Sequence, residues 1–76
     1  MYTDVMRRAF HSIVAPDNFS INLVDNDHFL TIKLSERSFL NMSHDEKIEA
    51  VRYVTSIKKA LEMEGAIVLV TREPLQ

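Results

Sequence analysis

The sequence contains no cysteine, no tryptophan, one glycine (Gly65) and two prolines, Pro16 and Pro74. Without cysteine, neither a disulfide framework nor a thiolate metal site can staple a small fold. A single glycine cannot build the glycine-rich loop that cradles phosphates, nor the Gly-X-X-Gly turn of a KH-type nucleic-acid module. No apolar run reaches the roughly 18 residues that a membrane-spanning helix needs. Neither sign of charge dominates: nine Lys and Arg against eleven Asp and Glu give a net charge of −2 at pH 7. That balance disfavours non-specific attraction to nucleic acid or an anionic membrane and describes a mixed-charge, solvated surface.

What is present is the make-up of one small globular domain over residues 1–76, with a hydrophobic fraction of 46%. A domain of this size buries only about 60% of its unfolded surface, so the core must hold by packing alone or with help from a second subunit. Met1-Tyr2-Thr3-Asp4 lacks the basic-then-apolar order of a secretory signal, and a cytosolic protein is expected.

Ser43-His44-Asp45-Glu46 is the strongest local signal. A serine followed three residues later by glutamate is a capping box, in which each side chain satisfies a backbone N–H at the start of a helix. The helix is expected over Asp45 to Met63, with apolar positions Ile48, Val51, Val54, Ile57 and Leu61 widened by Ala50, Tyr53 and Ala60. Asp45 and Glu46 at its start and Lys58 and Lys59 near its end suit the helix dipole, and Gly65 can close it in the left-handed conformation. An earlier helix is expected over Asp4 to Val14, with Val5, Met6, Ala9, Phe10, Ile13 and Val14 as its stripe and Thr3 as N-cap. Pro16 stops it.

Between the helices, Phe19, Ile21 and Leu23 alternate with polar or smaller residues. After Asp25-Asn26-Asp27-His28 the alternation resumes, with Leu30, Ile32 and Leu34 on one face and Phe29, Thr31 and Lys33 on the other. Asn and Asp tolerate tight turns, so a β-hairpin is expected. Ser35 to Met42 is irregular yet carries Phe39, Leu40 and Met42, which either lid the core or form a partner-binding patch. Ala66-Ile67-Val68-Leu69-Val70 reads as a strand with little solvent on either face, central in the sheet or covered by an oligomer partner. The expected class is α+β, a compact α-β-β-α-β domain with a three-stranded sheet and two helices on one face. The last strand should run parallel to the second if adjacent to it. The uncovered face is expected to carry Phe19 or Ile21, Phe29 and part of the last strand.

Chemistry is sparse. His11, His28 and His44 share no metal-ligating spacing, and their positions suit a helix end, a turn and a cap. Asp25-Asn26-Asp27 lacks the glycine and the closing glutamate of a calcium loop. No catalytic residue, cofactor or metal ligand is assigned, and enzymatic activity is not expected unless a partner completes a site. Arg52 and Lys59, seven residues apart on one helix face with Lys58 nearby, form a basic stripe that could touch phosphates, though with Glu49, Glu62 and Glu64 interspersed it reads first as a solvated face.

The segment Phe29-Leu-Thr-Ile-Lys-Leu-Ser35, followed by a connection with Phe39, a long helix and a final strand, resembles the BolA-like proteins over residues 19 to 74. The resemblance implies a like fold. In that family a histidine at the last strand and an Arg-His-Arg segment at the helix start carry iron–sulfur binding with glutaredoxin partners. Gly65-Ala66-Ile67 stands where the histidine would be and the basic segment is missing, so no site is carried over.

These readings make the chain a non-enzymatic protein-interaction module, an adaptor or modulator of a larger cytosolic assembly, self-associating as a homodimer. Small accessory proteins of bacteria or phage have this profile. Phe29, Arg37, Phe39 and Leu40 are its candidate partner-binding residues. The alternative is a nucleic-acid-binding domain using Arg52, Lys58 and Lys59 or the open sheet. No membrane association is expected.

Overall fold

A computed structural model describes residues 3–17, 19–26 and 28–74. The elements follow in the order α1 (Thr3–Ser12), β1 (Asn22–Asp25), β2 (Leu30–Ser35), a 3-10 helix (Glu36–Phe39), α2 (His44–Met63) and β3 (Val68–Glu73). The sheet order is β1-β2-β3, with β1 antiparallel and β3 parallel to β2. The Cα envelope measures 35 × 27 × 14 Å. Packed layers lie about 10 Å apart, so 14 Å admits one helical layer on one sheet and no third layer.

α2 begins as its capping box dictates. The Ser43 hydroxyl accepts from the Glu46 N–H at 3.2 Å, and the Glu46 carboxylate accepts from the Ser43 N–H at 3.0 Å. It ends before Gly65, whose φ of +91° is the left-handed conformation expected there. The buried stripe is Ala50, Tyr53, Val54, Ile57 and Leu61. Ile48 and Val51, expected in that stripe, are 38% and 59% exposed: at 100° per residue Ile48 falls on the side opposite Ile57 and Val51 on the flank. The dipole argument for Lys58 and Lys59 also fails: the last turn holds no basic residue, and the effect fades beyond it. Lys58 instead pairs with Glu62 at 3.4 Å.

Loss of this cap has a measurable cost. Ser43→Ala should destabilise the chain by about 1 kcal/mol and lower the melting temperature by about 4–8 °C. A circular-dichroism melt unchanged by the substitution would show that the box carries no stability. The bond from the Ser43 N–H, and then the Ser43 hydroxyl, hold the Glu46 carboxyl below its ordinary value of 4.5. A depressed carboxylate stabilises the fold above its unfolded pKa and loses that contribution as pH falls through its folded pKa. The cap should therefore weaken below about pH 4.5.

α1 turns Val5, Met6, Ala9 and Ile13 to the core, whereas Phe10 is 39% and Val14 89% exposed. Both were expected in the stripe, but they lie round the helix from its centre, and Val14 follows the last turn. The Thr3 side chain, the expected cap, lies outside the described residues. α1 packs beside α2, and Arg8 reaches Glu64 at 3.1 Å across the pair.

β2 is the centre of the sheet and of the core. Leu30, Ile32 and Leu34 face the helices and are buried with Ile57, Leu61 and Ala50. β1 is shorter than the alternation implied. Phe19 and Ile21 lie outside the ladder and turn inward, with Phe19 only 5% exposed, so neither lies on the open face as expected. The hairpin loop is closed by the Asn26 N–H on the Phe29 carbonyl at 2.9 Å, while Asp27 lies outside the described residues. Among the described residues, no helix is long and apolar enough to cross a membrane.

Candidate interaction surface

The Ser35 to Met42 connection divides its apolar residues. Phe39 and Met42 pack against the core, while Leu40 is 59% exposed. The ring of Phe39 lies 5.7 Å from that of Phe19, which meets Tyr53 edge-on at 6.0 Å. The Arg72 guanidinium stands 5.7 Å over the Phe39 ring, and its Nε reaches Glu36 at 3.3 Å. The 3-10 helix is thus tied to the end of β3. Burial pushes the Tyr53 hydroxyl above its ordinary value of 10.0, consistent with a ring sunk in the core.

The candidate residues do not assemble into one site. Phe29 is half-buried at the start of β2, and Arg37 and Leu40 are exposed beyond its other end, about 20 Å away along a six-residue strand. Arg37 lines a shallow cleft with Asp17, Ser38, Asn41, Met42 and Glu46. On α2, Arg52 and Lys59 are exposed and Lys58 is engaged by Glu62. His11, His28 and His44 are exposed and lie apart, on α1, in the β1–β2 loop and at the start of α2. Among the described residues, no three His, Asp or Glu side chains gather as metal ligands would.

The prominent surface is instead β3. Ala66 and Val68 are buried, but Ile67 is 62%, Leu69 48% and Val70 42% exposed. The expectation of a strand shielded on both faces is therefore not met within the single chain. Among the described residues β3 pairs only with β2, so one side of an apolar strand is open there. The register fixes its faces. Val68 and Val70 stand opposite Leu30 and Ile32, on the helix side; Leu69 and Thr71 stand opposite Thr31 and Lys33, on the open side. The open face therefore carries Val24, Thr31 and Leu69 in one row and Asn22, Lys33 and Thr71 in the next. In comparisons with known proteins, no family model matches this sequence, and no curated protein or solved structure matches the chain.

Proposed function

We propose that the chain is a non-enzymatic protein-interaction module that serves as an adaptor or modulator of a larger cytosolic assembly and docks through β3. The observation that supports this reading is the exposure of Ile67, Leu69 and Val70 along a strand with one edge unpaired among the described residues. Edge strands that bind nothing are usually blunted by charge, proline or a bulge, and this one is apolar through Val70, its first charge being Arg72. An affinity pull-down from source-cell lysate, with and without nuclease, tests the proposal. Retention of a specific protein after nuclease treatment is expected; loss of every retained species would overturn it.

The alternative reading, a nucleic-acid-binding domain, rests on Arg52 and Lys59, both exposed on α2. It requires retention that nuclease abolishes and affinity that falls steeply with salt. The pairing of Lys58 with Glu62 and the net charge of −2 weigh against it. The BolA-like resemblance stays a proposal about architecture alone. The second strand, the Phe39 connection, the long helix and the final strand follow in that order, and the family's iron–sulfur ligands have no counterpart here.

A further inference from the structure

The backbone phase of β3 determines what can cover it. The Leu30 N–H donates to the Ile67 carbonyl at 2.8 Å, and Leu30 stands opposite Val68. In a parallel ladder a residue bonds to the two neighbours of its partner, so Leu30 also engages Leu69. By alternation, Ile67, Leu69, Thr71 and Glu73 direct their backbone groups to β2. Val68, Val70 and Arg72 direct theirs to the outer edge, where no strand lies among the described residues.

The exposed side chains mark the same edge. Leu69 lies on the open face and Val70 on the helix face, so a partner stacked on the open face would cover one and miss the other. Such a partner would also desolvate Asn22, Lys33 and Thr71, which share that face. What Leu69 and Val70 have in common is the edge. The opposite edge is different: β1 is four residues long and ends in the polar Asn22 and Asp25.

We infer that the outer edge of β3 is covered by β3 of a second copy, running antiparallel, with Leu69 opposite Leu69 of that copy. The inference rests on the interaction-module reading above and names its partner. A two-fold axis perpendicular to the sheet makes such an edge its own complement. Hydrogen-bonding residues must face hydrogen-bonding residues, so Val68 and Val70 can oppose only each other, themselves or Arg72. Placing Leu69 on Leu69 sets Val68 against Val70 and extends the row Val24, Thr31, Leu69 into the second copy. Sliding to place Val70 on Val70 would instead set Leu69 against Thr71, Val68 against Arg72 and Ile67 against Glu73. Apolar matching selects the first register. The product is one six-stranded sheet with the four helices on the same face.

The absence of cysteine makes the register directly readable. Residues in a non-hydrogen-bonded antiparallel pair have Cα atoms about 4.5 Å apart, inside the range a disulfide spans. Leu69→Cys should therefore cross-link into a covalent dimer under mild oxidation. Thr71→Cys should not, because its two copies lie four residues out of register, about 13 Å apart. Light scattering should give the unmodified chain twice its 8.8 kDa mass. Val70→Pro removes an outward N–H and spares the ladder to β2, so it should yield a folded monomer; if it does not fold, Leu69→Lys serves instead. A dimer that cross-links through Thr71→Cys and not Leu69→Cys, or that neither variant dissociates, overturns the inference and leaves the interaction reading standing. A monomer at about 100 µM, where a micromolar dimer would be formed, overturns the second copy as partner. The nuclease-treated pull-down then shows separately whether a different protein takes the edge or the wider reading fails too.

Discussion

Val68→Asp is expected to unfold the chain, whereas Leu69→Lys one residue later leaves it folded. Val68 is 6% exposed, stands opposite the fully buried Leu30 and closes the core at the start of β3. An aspartate there is an unpaired charge among apolar side chains. The cost of burying it without a partner reaches several kcal/mol, on top of the lost packing. A domain of 76 residues has a total stability of about 4–11 kcal/mol, so the substitution removes most or all of it. Leu69 is 48% exposed on the other face, where a lysine can extend into water. Its effect on the dissociated chain should be about 0.5 kcal/mol or less. Circular dichroism and urea titration at low protein concentration separate the two. A cooperative transition retained by Val68→Asp would show that β3 does not close the core.

This contrast also shows where the sequence was legible. The capping box located α2 to within one residue because both partners of each bond are local and three positions apart. The alternation of Leu30, Ile32 and Leu34 gave the core face of β2, because side chains along a strand alternate with a period of two. Of the two readings of the run Ala66 to Val70, the central strand misled, because composition reports how apolar a strand is and not how many neighbours it has. Yet a topological argument was available. With β1 and β2 joined as a hairpin, a third strand can only lie at an edge unless it splits them. An apolar run in that place is an exposed edge, which is the candidate site. Ile48 and Val51 misled for a different reason: steps of three residues drift by about 60° each, so the row from Ile57 back through Val54 and Val51 to Ile48 winds half way round the helix and off the buried stripe.

Phe19→Ala is expected to cost about 3–5 kcal/mol, the range for a buried phenylalanine truncated to alanine. Alternation alone left Phe19 free to lie on either face of the sheet. The structure buries it between Phe39 and Tyr53, in a ring cluster that joins the segment before β1, the 3-10 helix and α2. Removing the ring leaves Phe39 without its inner neighbour, and Phe39 is the platform over which Arg72 lies at the end of β3. The loss should therefore appear twice. The melting temperature should fall by about 12 °C or more, taking about 4–8 °C per kcal/mol for a domain of this size. Amide exchange should also accelerate in the 3-10 helix and at Thr71 and Glu73, which flank Arg72 and bond to β2, before it does at Leu69 in the first half of β3. A shift of only a few degrees would place Phe19 on solvent and return it to the open face. Uniform acceleration of exchange across β3 would show that the end of the strand is held by the ladder of Thr71 and Glu73 to β2 and by the Arg72–Glu36 pair, not by the aromatic cluster.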